Sequence, residues 1–229
     1  MAECKEIKAI ARIENDFSDK FGVPRQSGLV EKIESKIIFE NEYRNPDALR
    51  GIEEFSHLWL IWDFSECTMQ KWQPTVRPPR LGGNTRKGVF ATRSPYRPNS
   101  LGLSSVKLER IEDTAEYGKV LIITGADLLN GTPIYDIKPY LPYTDSHPEA
   151  RGSFGEKEKD YHLEVVFDEN LLVKIPYEKR DAVKEILAQD PRPAYHNEPE
   201  RVYGMSFGGY NIKFTVSDGV LTVSAVEKL

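Results

Sequence analysis

Between Glu66 and Glu109 the chain has no acidic residue, while Lys71, Arg77, Arg80, Arg86, Lys87, Arg93, Arg97 and Lys107 place eight positive charges there. The net charge of the whole chain is −5, so with +8 in this window the remaining residues carry −13. A solvated surface intersperses its signs, whereas this segregation builds one positive stretch able to attract a polyanion against an acidic background. RNA, DNA and a phosphorylated small molecule all meet that description. Seven of the eight charges lie between Lys71 and Arg97, in a Pro- and Gly-rich composition typical of a surface loop rather than a helix face. A basic surface without a ligand is the alternative. Other chemistries are excluded by missing patterns. The chain has neither a G-x-G-x-x-G nor a Walker A run, which removes a Rossmann dinucleotide site and a P-loop. Its four histidines (His57, His147, His162 and His196) and two cysteines (Cys4 and Cys67) show no zinc-ligand spacing, and no G-x-S-x-G is present. An enzyme with these residues works by positioning a cosubstrate rather than through a covalent nucleophile.

The elements that must position such a site have a period near two. Candidate strands are Ile7 to Ile13, Ser35 to Glu40, Phe55 to Trp62, Gly88 to Thr92, Ser104 to Ile111, Lys119 to Ala126 and Ile134 to Tyr140, each bounded by Gly, Pro, Asn or Asp. A short helix at Asp47 to Glu54 can align Ala48, Leu49 and Ile52. Strands that follow one another with so little helix between them argue for an all-β barrel or sandwich and against a doubly wound α/β sheet. Asn130-Gly131 reads as a turn.

From Pro142 to Lys159 the chain turns polar, which marks a linker. Beyond it lie a strand at His162 to Phe167, a helix at Glu178 to Gln189, and a hairpin of Tyr210 to Val216 and Val220 to Val226 turned by Asp218-Gly219. The expected architecture is mainly β: a barrel over residues 1–147 and a small C-terminal α+β domain over 148–229. An apolar content of 39% over 229 residues is enough to bury a core. No apolar run approaches the ~20 residues of a membrane helix, and the charged N-terminus lacks a signal-peptide core, so a cytoplasmic protein with no membrane partner is expected.

Three stretches carry a resemblance: Val23-Pro24-Arg25-Gln26-Ser27-Gly28-Leu29; Arg77-Pro78-Pro79-Arg80-Leu81-Gly82-Gly83-Asn84 running into Gly88-Val89-Phe90-Ala91-Thr92-Arg93-Ser94-Pro95-Tyr96-Arg97-Pro98-Asn99; and Asp127-Leu128-Leu129-Asn130-Gly131-Thr132-Pro133-Ile134-Tyr135-Asp136-Ile137-Lys138-Pro139-Tyr140. Together they resemble the TsaA-like (TrmO) family of tRNA methyltransferases. Ala188-Gln189-Asp190-Pro191-Arg192-Pro193-Ala194-Tyr195 is similar to the C-terminal extension of its bacterial members. The resemblance implies a β-barrel enzyme that uses S-adenosyl-L-methionine to methylate N6 of the threonylcarbamoyladenosine beside the anticodon of threonine tRNA. It also implies a homodimer with the cofactor near the subunit contact, and tRNA rather than DNA as partner.

The cofactor residues it implies are Arg25, Gln26, Ser27, Gly28, Ser65, Glu66, Arg93, Leu103, Thr124, Gly125, Ala126 and Asp127. Gly28 lets backbone approach a ligand, Gln26 offers a donor and an acceptor, and Arg93 can pair bidentately with a carboxylate or a phosphate. Thr124 to Asp127 end a strand in small residues that leave room for an adenosyl group. For RNA the expected contacts are Arg77, Arg80, Arg86, Lys87, Arg97 and Arg192, with Trp72, Tyr96 and Tyr195 as stacking partners. Asp136, Tyr140 and Tyr143 are the candidates for a proton acceptor. A non-catalytic RNA-binding module and a small-metabolite methyltransferase stand as alternatives.

Overall fold

The computed structural model describes residues 5–67, 71–78, 81, 85–153, 161–192 and 198–229. Its first unit is a closed barrel of six strands. These are β1 (Ala11–Glu14), β2 (Glu34–Phe39), β3 (His57–Asp63), β6 (Leu101–Thr114), β7 (Gly118–Thr124) and β8 (Pro133–Pro139), in the order β1-β2-β7-β6-β3-β8 with every neighbour antiparallel. Two short strands between β3 and β6, β4 (Thr75–Val76) and β5 (Lys87–Gly88), pair as a separate ribbon. In β3 the residues alternate, so Leu58, Leu60 and Trp62 point into the barrel. They meet Ile13, Ile37, Leu121, Ile123 and Ile134 in one core, where each fully buried aliphatic side chain contributes about 1.5–3 kcal/mol. Ring closure leaves the barrel without an edge.

Two elements depart from the sequence expectation. Gly88 to Thr92 is not a strand. After β5 the chain tightens into a 3₁₀ turn at Val89–Ala91, and the Thr92 backbone N–H and hydroxyl both donate to the Val89 carbonyl, at 3.1 and 2.9 Å. Asp47 to Glu54 is likewise two 3₁₀ turns, Pro46–Leu49 and Ile52–Glu54, interrupted at Gly51, whose φ of +83° no helix continues through.

The second unit is a four-stranded sheet in the order β10-β11-β12-β9, built from β9 (Glu164–Val166), β10 (Tyr203–Phe207), β11 (Tyr210–Ser217) and β12 (Val220–Lys228). Short helices α1 (Pro142–Asp145) and α2 (Glu169–Leu172) precede α3 (Tyr177–Ala188), which buries Ala182, Val183, Ile186 and Leu187. Asp218 and Gly219 both have positive φ, as a two-residue hairpin turn with the native twist requires. The first residues of the expected linker are tied to the barrel, because Asp145 accepts from Trp59 Nε1 at 2.8 Å and from the Leu141 amide at 3.0 Å. Phe17, Val30 and Ile33, which lie between β1 and β2, are buried in the core of the second unit with Val183, Met205 and Phe214. The segment that joins these strands therefore leans on both units.

Candidate cofactor and RNA site

The barrel opens at the end where β3 finishes and β6 begins, since antiparallel pairing sets Asp63 opposite Leu101 and Trp62 opposite Gly102. Around this end lie the segment after β1, the turn that follows Ala91 and the residues after β7, and between them is a cavity of about 770 Å³. Small-molecule sites run from about 300 to 1,000 Å³.

The Trp62 indole packs against Gly102; a Cβ there would sit 2.2 Å from the ring. Trp62 Nε1 donates to Ser104 Oγ at 2.9 Å, and Ser104 Oγ donates to Asp127 Oδ1 at 2.5 Å. Asp127 is also reached by the backbone N–H of Ser27, and Gly28 N–H donates to the Gly125 carbonyl at 2.9 Å. Gly125 has φ +79°, and a Cβ on it would come 3.4 Å from the Gly28 backbone, so the two glycines allow these loops to touch. Burial raises the Asp127 carboxyl above its ordinary value; the Ser104 hydroxyl, backbone amides and nearby Arg93 oppose that rise without cancelling it. Arg93 Nη1 donates to Gln26 Oε1.

Of the residues expected to hold a cofactor, Arg25, Gln26, Ser65, Glu66, Arg93, Leu103 and Asp127 line the cavity. Leu103 is 55% exposed at the rim rather than in the core. Gly28 and Gly125 touch behind the wall, Ser27 reaches Asp127 through its backbone N–H, and Ala126 is buried in the barrel core. Thr124 turns away, its hydroxyl donating to Glu109 Oε1 at 2.9 Å. Arg25 directs Nη2 to the Asp190 and Arg192 carbonyl oxygens, each at 2.8 Å.

The expected RNA residues divide. Arg77 and Arg86 are exposed, Lys87 is half-buried on β5, and Arg97 lines the cavity. Arg80 and Tyr195 lie outside the described residues. Arg192 is a correction: its guanidinium is paired with Asp190, at 2.8 Å from Nε and 2.9 Å from Nη2, and its side chain is only 10% exposed, so it is not presented to a phosphate. Trp72 and Tyr96 are both exposed, and Tyr96 lines the cavity.

Asp136, Tyr140 and Tyr143 are also corrected. Asp136 pairs with Lys138 at 2.9 Å, Tyr140 packs on Trp59, Tyr143 is 86% exposed, and none of the three lines the cavity. The carboxylates on its wall are Asp63, Glu66 and Asp127. Asp63 went unrecognised in the sequence although it ends β3, where side chains reach a barrel mouth; it accepts from Ser100 Oγ at 3.2 Å and from the Tyr135 hydroxyl. Lys20, whose Nζ donates to the Glu66 carbonyl at 2.8 Å, was missed as well.

These features define a ligand-binding β-barrel whose mouth opens beside a basic ribbon. The model of the tRNA-methyltransferase O N-terminal domain matches residues 12–146, and that of the TrmO C-terminal domain matches residues 160–229. The chain belongs to this family. It is 39% identical over 97% of both chains to the tRNA (adenine(37)-N6)-methyltransferase of Escherichia coli. A Pseudomonas aeruginosa relative with S-adenosylmethionine-dependent methyltransferase in its name is 38% identical over 87% of both chains. A crystal structure of TrmO from P. aeruginosa superposes with a TM-score of 0.80 at 30% identity, covering 100% of this chain and 99% of that one.

Proposed function

We propose that the protein is an S-adenosyl-L-methionine-dependent tRNA methyltransferase that acts in the cytoplasm on N6 of threonylcarbamoyladenosine beside the anticodon of threonine tRNA, as a homodimer. The observation that carries this reading is the joining of a nucleoside-sized cavity to a positive rim, with Arg93 and Arg97 on the wall and Arg77, Arg86 and Lys87 on the flanking segment. The wall residues fit the cofactor. Arg93 suits the amino-acid carboxylate, Asp63 or Glu66 a ribose diol or an ammonium, and Phe64, Tyr96 and Leu103 the apolar parts of the ligand.

S-adenosylmethionine supplies an electrophilic methyl group on a sulfonium. The chain's own part is placement: the Gln26–Arg93 bond and the Ser27–Asp127 bond hold one wall, and Trp62 on Gly102 holds the other. An adenine to be modified must leave the stack of the anticodon loop, and exposed Trp72 and Tyr96 offer it an aromatic surface at the rim. Within this proposal residues 1–147 form the catalytic barrel and residues 148–229 the accessory domain.

Incubating the purified protein with S-adenosylmethionine and threonine tRNA that carries the threonylcarbamoyl group, then analysing the nucleosides by mass spectrometry, tests the reading. One added methyl on that nucleoside is the expected result. Bound cofactor with no methyl gained would instead indicate another acceptor.

A further inference from the structure

Two carbonyl oxygens of the C-terminal unit converge on one nitrogen of the cavity wall. Arg25 Nη2 donates to the Asp190 and Arg192 carbonyls at 2.8 Å each. Carbonyls two residues apart can face a single donor only if the chain turns sharply between them. At the start of that turn Asp190 itself has φ +51°, in the left-handed region that non-glycine residues seldom occupy. Its carboxylate keeps the turn closed: Oδ1 accepts from Arg192 Nε at 2.8 Å, and Oδ2 accepts from Arg192 Nη2 at 2.9 Å and from the Tyr161 hydroxyl at 3.0 Å. With side chains 10% and 13% exposed, the fork between Arg192 and Asp190 is shielded from competing water. Burial resists ionisation of Asp190, but the hydrogen bonds and charge of Arg192 outweigh it and hold the carboxyl below its ordinary value.

The loop gripped by this turn is held on its barrel side by the Gly28–Gly125, Ser27–Asp127 and Gln26–Arg93 contacts, and on its other side it is only partly packed. Pro24 is buried, but Arg25, Gln26 and Ser27 are half-exposed and Gly28 is exposed. Beneath Pro24 and Arg25 lies a second cavity of about 110 Å³, bounded on the other side by Ile186, Gln189 and Pro191. A gap of this kind forfeits the dispersion contacts that would otherwise seat the loop. Polar bonds from the C-terminal unit bridge it instead.

We infer that Asp190 is a positioning residue: the Tyr161–Asp190–Arg192 turn, acting through Arg25, fixes the loop that offers Gln26 to Arg93 and Ser27 to Asp127, and so pre-organises the cavity for its ligand. Naming that ligand S-adenosylmethionine rests on the proposed function; the ordering of the loop does not. Arg25 is thereby a strut between the two units.

The test uses the full-length protein with Asp190→Asn and Tyr161→Phe variants. Amide hydrogen exchange in the ligand-free protein reads the loop directly. Asp190→Asn is expected to speed exchange at Ser27 and Gly28 about tenfold, the equivalent of roughly one lost hydrogen bond, while amides of β12 keep their rates. Tyr161→Phe is expected to give a smaller change in the same direction. Calorimetry with S-adenosylmethionine should show the dissociation constant rising about tenfold for Asp190→Asn, which corresponds to ~1.4 kcal/mol. Initial rates should show the cofactor KM rising with kcat nearly unchanged. Unaltered exchange at Ser27 and Gly28 in Asp190→Asn overturns the inference whatever the cofactor does. If that variant also loosens β12, Tyr161→Phe, which deletes one hydroxyl, decides by the same readout. A wild-type protein that fails to bind S-adenosylmethionine while Asp190→Asn still frees the loop overturns the function proposed above and leaves the positioning role standing.

Discussion

At the scale of single residues, burying the Asp127 carboxyl in the cavity wall costs stability once it ionises. Its buried carboxyl has a raised pKa, so the folded chain keeps this proton to a higher pH than the unfolded chain does. As pH climbs from the ordinary carboxyl value through the raised one, the unfolded state ionises first and the contribution of Asp127 to stability falls. Asp127→Asn removes that dependence while retaining an acceptor for Ser104 and Ser27. It is expected to raise Tm at neutral pH by a few degrees, for about 1 kcal/mol in a chain of this size, and to leave Tm near pH 3 little changed. Calorimetry with S-adenosylmethionine should show weaker binding by the same variant. A Tm that falls at neutral pH but not near pH 3 would show instead that the ionised carboxylate stabilises the fold. Arg93 is the complementary case. It holds Gln26 on the wall, and Arg93→Ala is expected to raise the S-adenosylmethionine dissociation constant about 10- to 100-fold, the loss of a charge-assisted contact, with the circular dichroism spectrum unchanged. Undiminished binding removes Arg93 from the cofactor's surroundings.

Among the elements, β3 and β6 make the mouth, where Gly102 pairs with Trp62. A Cβ at Gly102 would overlap the Trp62 indole at 2.2 Å, and the ring is pinned by its bond to Ser104. Gly102→Ala is therefore expected to cost about 1–3 kcal/mol and to lower Tm by several degrees in thermal melts, as overpacked sites do. Gly131→Ala provides a control for the loss of a glycine, since a Cβ there meets nothing within 4 Å and only its φ of +80° is strained. The barrel strands were legible in sequence because an alternating half-buried strand such as His57–Asp63 writes its period directly into residue type. Val89–Ala91 was not, because a β-branched and an aromatic residue read as strand while the following Thr92 closes the turn on Val89 through its hydroxyl. β10 was passed over although Gly208-Gly209, both at positive φ, is the hairpin signal between Phe207 and Tyr210. The polar and charged residues of the loops can be named from sequence as types, but their partners lie far along the chain. Nothing in Arg192 itself distinguishes a guanidinium facing RNA from one locked on Asp190.

For the whole molecule, the charge arrangement decides how a polyanion approaches. An acidic chain repels RNA at long range, and only the stretch between Glu66 and Glu109 reverses the field. In the structure this stretch includes the β4–β5 ribbon and the turn beside the cavity, so the positive field and the cavity lie together. Affinity for tRNA should therefore fall linearly on a log–log plot against salt, with a slope of about −0.7 to −0.9 for each phosphate neutralised. Arg77→Ala with Arg86→Ala is expected to make that slope shallower by about two, since each cation lost removes about one phosphate contact. S-adenosylmethionine binding should be unaffected, because neither side chain lines the cavity. Filter binding across a salt series measures the slope, and calorimetry measures the cofactor. If the double variant keeps the wild-type slope, phosphates are gripped elsewhere on the molecule; if it loses the cofactor as well, the ribbon shapes the cavity wall, and field and pocket are not separable parts of the site.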